Sequence, residues 1–111
     1  MKSILPGTRS CRPLPAGTPP LAQAQIDAGL AQLPGWEYSG GAIAKTFSFG
    51  NYAATMAFVN QVAAVAERED HHPDMLVGYD RCRVAFCTHS VGGISCNDFA
   101  CATMIEALCR T

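Results

Sequence analysis

The sequence predicts an α+β two-layer sandwich in the order α-β-β-α-β-β-α, with a four-stranded antiparallel sheet and helices stacked on one face. Three observations carry this. Residues 42–49 and 81–88 alternate between two faces with the period of two of a half-buried strand. Each of these segments follows a shorter candidate strand across a tight turn, which makes two hairpins. Three further segments repeat apolar residues every three or four positions, as amphipathic helices do.

The first 17 residues read as an extended arm, and residues 18–111 as one domain. The arm carries Lys2, Arg9 and Arg12 without an acid, as organelle-targeting peptides do. The prolines of this N-terminal stretch (Pro6, Pro13, Pro15, Pro19 and Pro20) argue against the amphipathic helix such a peptide forms. It also lacks the continuous apolar stretch of a secretory signal.

Thr18 at a cap position followed by Pro19 predicts a helix start, with Ala22, Ile26, Leu30 and Leu33 on one face and Pro34-Gly35 as the stop. Residues 36–38 form a candidate strand, and Ser39-Gly40-Gly41 a turn. In the next strand Ile43, Phe47 and Phe49 share a face opposite Ala44, Thr46 and Ser48. Asn51 can cap the central helix. There Met56, Val59, Ala63 and Ala66 make one apolar stripe, and Phe58, Val62 and Val65 an adjoining one, predicting a wide buried face.

Pro73 biases His72 away from helical angles, so the chain turns extended after the polar run 67–70. Strands are predicted over 75–79 and 81–88, with Cys82, Val84 and Phe86 on one face. Ser95 and Asp98 have capping-box spacing, and Ile94 and Phe99 stand where a hydrophobic staple needs them. Cys101, Ile105 and Leu108 continue the apolar face of the last helix.

Composition narrows the function. The chain has 111 residues, 49% hydrophobic and 15% charged, with a formal net charge of −1. That excludes a disordered chain and offers no basic stripe for direct nucleic-acid binding. No apolar run approaches the length of a membrane span. The six cysteines have no CxxC pair, so they read as free, small hydrophobes in a cytoplasmic protein.

The chemistry concentrates in residues 71–89, which hold all three histidines, His71, His72 and His89. Each stands at the end of a helix or strand, where rigid elements present catalytic groups. Imidazole both donates and accepts protons near neutrality. A zinc site built from His71 or His72, His89 and a carboxylate such as Asp70 is a second reading. The adjacency of the first two histidines and the lack of HExxH spacing weigh against it.

The spacing Glu67-x3-His71-His72-Pro73-x5-Tyr79-x9-His89-x8-Asp98 resembles the signature of the pterin-4a-carbinolamine dehydratase family. The likeness spans about residues 18–110 and includes Phe47-x-Phe49, Thr88-His89 and Gly93-Ile94-Ser95. It implies the same element order and a reaction: loss of the 4a-hydroxyl of a hydroxylated tetrahydropterin as water, with removal of the N5 proton. It implies no metal or redox cofactor, a small-molecule pterin substrate, and a homo-oligomer, either dimer or tetramer. By the same resemblance His72 and His89 are the expected acid–base pair and His71 grips the pterin. Glu67, Asp70, Pro73, Cys87 and Thr88 are expected substrate contacts, Glu67 as the acceptor of a hydrogen bond from an imidazole or from the pterin ring. Asp98 joins them and can orient an imidazole, although the capping box accounts for it without any catalytic duty. Tyr79 is expected to pack on the sheet. Two departures are Met75, where the family often has a large aromatic, and Cys87, where it often has a small hydroxyl residue. Two other roles known in the family stay open: dimerisation cofactor of a transcription factor, and action on another, molybdopterin-related pterin.

Overall fold

A computed structural model describes residues 11–109. Three α-helices, four strands and one 3₁₀ turn follow one another as α1 (Gln23–Ala31), β1 (Glu37–Ser39), β2 (Ala42–Ser48), α2 (Tyr52–Glu69), β3 (Asp74–Val77), β4 (Arg81–Phe86), the 3₁₀ turn His89–Val91 and α3 (Cys96–Leu108). This is the expected α-β-β-α-β-β-α order. The sheet runs β1-β2-β4-β3, antiparallel throughout, so the two hairpins meet through their longer strands.

The period of two decides which side is buried. Register pairs Ile43 with Phe86 and Phe47 with Cys82, and places Val84 between them. These side chains join Phe58 and Val62 of α2 and Phe99 and Ile105 of α3 in one core. Burying a side chain of this size fully is worth about 1.5–3 kcal/mol. Trp36, just before β1, closes one end of the core, edge-on to Phe47 and stacked near Phe86.

Two of the three helices start where the sequence places their caps. The Asn51 side chain accepts the Ala54 N–H at 2.8 Å and caps α2. The Ser95 hydroxyl accepts the Asn97 N–H at 3.2 Å, while the Asp98 carboxylate accepts the Ser95 N–H at 2.8 Å, completing the expected capping box. The first helix differs: it begins at Gln23, not at Pro19. The Leu21 N–H is given instead to the Ile94 carbonyl at 2.8 Å, which holds the Pro19-Pro20 stretch against the segment before α3. A tertiary hydrogen bond there outweighs a local helix signal.

Two further expectations change. Of the two α2 stripes, Phe58, Val62 and Val65 are all buried, whereas in the other Ala66 is buried, Met56 and Val59 are half-buried and Ala63 is exposed. The buried face is therefore narrower than the sequence pattern suggests. Strand β3 ends at Val77, so Tyr79 lies in the hairpin turn, exposed and stacked on Tyr52 rather than packed in the sheet.

One glycine sets a helix–helix distance. A Cβ on Gly29 of α1 would lie 2.5 Å from the Phe99 ring, so α1 approaches α3 as closely as it does only because that position has no side chain.

Candidate active site

The site begins at the end of α2. Asp70 takes left-handed backbone angles (φ 54°, ψ 43°), a conformation that Asp tolerates better than most residues. The His71 N–H then returns to the Ala66 carbonyl at 3.1 Å. This turn reverses the chain and points it into His71-His72, and Pro73 carries it on into β3.

His71 is the most enclosed of the three histidines, its side chain only 13% exposed. Its ring lies flat against Phe86, with centroids 5.8 Å apart and planes 8° from parallel. Nε2 stands 2.6 Å from Oδ1 of Asp98, which is fully buried. The other oxygen, Oδ2, accepts the Thr88 hydroxyl and the Ser95 N–H, both at 2.8 Å. Thr88 has one hydroxyl proton and gives it to the carboxylate. The Ser95 hydroxyl 2.7 Å away therefore donates to Thr88. Both carboxylate oxygens are thus engaged, as a buried carboxylate requires.

This arrangement sets the proton chemistry of His71. Burial is the largest single influence and works to lower its pKa, but the hydrogen bond and negative charge of Asp98, together with the smaller influence of Cys11 and Asp70, leave it raised. Because Nε2 donates to Asp98, the proton that comes and goes is the one on Nδ1.

The other expected residues fall around this centre. His72 and Glu67 form their own pair, Nε2 to Oε2 at 2.7 Å, on the exposed rim. His89 is exposed at the start of the 3₁₀ turn, one residue beyond Thr88, and its ring makes no hydrogen bond to a described residue. Cys87 is half-buried between β4 and Thr88. Burial pushes its thiol pKa up, and the acids Asp98 and Asp74 push it further. Pro73 is half-buried at the entry to β3. Direct contacts therefore join His71, Thr88 and Asp98 in one network and His72 with Glu67 in a second.

A cleft of 240 Å³ opens beside this network, lined by Asp70, His71, Thr88 and Ser90 and, on its other side, by residues 11–14. It lies just under the usual range of about 300–1,000 Å³ for ligand pockets. A larger cavity of 460 Å³ sits on the open face of the sheet near Lys45, Thr46 and Arg83. It holds no histidine, so the smaller cleft is the better candidate. Among the described residues, no group of three or more His, Cys, Asp and Glu side chains is placed to hold a metal ion.

Sequence reasoning missed two parts of the site. Phe86 reads only as core, and its place under His71 depends on tertiary packing. The contribution of the arm has no local signal at all. The bond from Asp98 to His71 fits the expectation that Asp98 can orient an imidazole, and the packing shows which one.

A small α+β domain with imidazoles gathered at the ends of its helices and strands is thus the class that fold and site define. The chain belongs to the pterin 4 alpha carbinolamine dehydratase family, whose profile matches residues 19–108. A protein of Nitrosospira multiformis, provisionally named pterin-4-alpha-carbinolamine dehydratase, is 52% identical over 101 residues, covering 91% of this chain and 89% of that protein. One of Stenotrophomonas maltophilia with the same provisional name is 49% identical, covering 97% and 96%. Among solved structures, a transcriptional coactivator/pterin dehydratase from Brucella melitensis superposes with a TM-score of 0.77 at 31% identity, over 80% of this chain and 97% of that one. A pterin dehydratase-like protein described as a RuBisCO assembly factor in the alpha-carboxysome superposes at 0.56 with 26% identity, over 68% and 88%. No helix among the described residues is long and apolar enough to cross a membrane.

Proposed function

We propose that this protein is a 4a-hydroxytetrahydropterin dehydratase, releasing water and quinonoid dihydropterin during recycling of the tetrahydropterin cofactor. The observation that carries this is the His71–Asp98 pair, at 2.6 Å on the wall of a cleft. The reaction needs an acid at the departing 4a-oxygen and a base at N5. His71, biased toward imidazolium by Asp98, suits the first task. Its Nδ1 proton passes to the 4a-hydroxyl as the C–O bond breaks. The imidazole of His72 or His89 takes the N5 proton, and the electron pair of the N5–H bond forms the new C=N bond. His71 is thereby moved from the gripping role expected from resemblance to an acid role, because it alone of the three is held by a buried carboxylate.

In this account no step calls on a metal or a redox cofactor, because only protons and water change hands. Asp70 and Thr88 line the cleft, Cys87 precedes Thr88 in the chain, and Glu67 steadies His72 through its hydrogen bond. The six free thiols fit a cytoplasmic protein. The homo-oligomer expected from resemblance belongs to the same proposal.

The test is direct. Chemically generated 4a-hydroxytetrahydropterin dehydrates slowly by itself, and its absorbance change is followed with and without protein, chelator present. Acceleration by the wild type is the expected result. A rate equal to the spontaneous one would refute the assignment.

The coactivator and RuBisCO-assembly roles belong to the structural neighbours by name. Nothing in the geometry of this chain favours either over catalysis. An intact, hydrogen-bonded acid–base network is what a pure binding module would have no use for.

A further inference from the structure

The described end of the N-terminal arm is not loose. Asn97, on the first turn of α3, grips the backbone of Arg12 at two points: its Oδ1 accepts the Arg12 N–H at 3.0 Å and its Nδ2 donates to the Arg12 carbonyl at 2.8 Å. These partners are 85 residues apart in sequence, and Asn97 is only 7% exposed. One residue earlier, the Cys11 N–H is given to Oε1 of Glu69 near the end of α2, at 2.9 Å. The Cys11 sulfur lies 3.5 Å from the Asn97 carbonyl oxygen and 3.1 Å from the sulfur of Cys101, which is fully buried in α3.

These contacts make the arm part of the cleft's lining. Residues 11–14 face Asp70, His71 and Thr88 around the same 240 Å³. Two of the docking residues adjoin other residues of the site in sequence. Asn97 precedes Asp98, and Glu69 precedes Asp70.

We propose that residues 11–14 are a wall of the substrate site and that Asn97 is the positioning residue that clips this wall in place, so that the arm sets how tightly the pterin ring is held. The inference rests on the dehydratase reading and adds a binding element to it. A side-chain amide that satisfies both polar groups of one backbone residue replaces the hydrogen bonds a strand partner would supply. It therefore fixes an irregular segment that has no secondary structure of its own. Asp98 orients the proton donor from the next position, so binding and proton chemistry are served by neighbouring residues with separable effects.

The separation is the test. Asn97→Ala removes both bonds to the arm, and Arg12→Pro removes the arm's own donor without touching α3. Steady-state dehydration and fluorescence titration with 7,8-dihydropterin are measured for both variants, with thermal unfolding as a check on folding. Losing one to two hydrogen bonds predicts KM and the dihydropterin Kd about tenfold higher in each, with kcat within about twofold. Oxidising the wild type with diamide provides the opposite lever. The two thiols give two electrons and two protons to the diazene, which becomes a hydrazine, and a Cys11–Cys101 disulfide fixes the arm. Peptide mapping should find that disulfide, and Cys101→Ser should abolish it. Unchanged KM and Kd in both variants would overturn the proposal. So would a fall in kcat at constant KM, which would mean that Asn97 acts through Asp98 rather than through the arm. A wild type that neither binds dihydropterin nor accelerates dehydration would defeat the dehydratase reading itself, a different result from an active wild type with indifferent variants.

Discussion

His71 and Asp98 meet at 2.6 Å, Nε2 to Oδ1, across 27 residues of sequence and at the junction of α2, β4 and α3. The carboxylate that caps the last helix is thus the one that sets the charge of the enclosed imidazole. A single buried acid serves fold and chemistry together.

Replacing that acid with its amide separates the two duties. Asp98→Asn keeps the shape and can still accept at the cap, but it removes the negative charge that raises the His71 pKa. Titration of the His71 ring by NMR should show its pKa falling below the wild-type value. Dehydration should slow by about 10²-fold or more, the usual scale for general acid catalysis. Asp98→Ala should in addition destabilise the protein by about 1–2 kcal/mol through loss of the cap. An unaltered His71 titration in Asp98→Asn would show that the pair is not an electrostatic unit.

The same pair gives stability a definite pH dependence. Folding raises the pKa of His71, so the folded state binds its proton more tightly than the unfolded state does. That contribution is fully present below the unfolded value of about 6.5 and is lost as pH rises through the raised, folded value. Urea unfolding of wild type and His71→Gln should therefore differ most near pH 6, with the gap narrowing toward pH 9. A gap that widens with pH would contradict the assignment.

The fold was legible in the sequence wherever one local period repeated long enough. Strands β2 and β4, helix α2 with its Asn51 cap, and the Ser95–Asp98 box all follow from neighbouring residues. What failed was decided by distant partners. Thr18 and Pro19 have the form of a helix start, but Ile94 claims the Leu21 N–H and delays the helix to Gln23. Met56, Val59 and Ala63 have the spacing of a buried stripe, yet the sheet and α3 meet the other side of α2. For the candidate site, spacing picked out the histidines, but only the three-dimensional packing reveals which one Asp98 holds, and no local pattern marks Asn97 as the anchor of the arm.

Gly29 offers a test of the packing. Inside a helix, Gly→Ala ordinarily stabilises by about 1 kcal/mol. Here the new methyl would lie 2.5 Å from the Phe99 ring, which is fully buried and cannot swing away. Gly29→Ala should therefore destabilise, by about 1–3 kcal/mol, as overpacked cores do. Chemical denaturation would show the sign at once.

Buried Thr88 tests the hydroxyl relay. Thr88→Val keeps the volume but removes the donor to Asp98 and the acceptor for the Ser95 hydroxyl. Leaving those groups unsatisfied should cost about 1–3 kcal/mol of stability. A neutral substitution would mean that water replaces the hydroxyl and that the relay is not closed.

The central claim is that an imidazole held by Asp98 drives dehydration of a hydroxylated pterin. The most direct measurement is the single-turnover rate of 4a-hydroxytetrahydropterin loss, with chelator present, for the wild type and for His71→Ala, His72→Ala and His89→Ala. The account predicts acceleration by the wild type, the largest loss in His71→Ala, and smaller losses in the other two. Full activity in His71→Ala, or a wild type no faster than the spontaneous reaction, would contradict it.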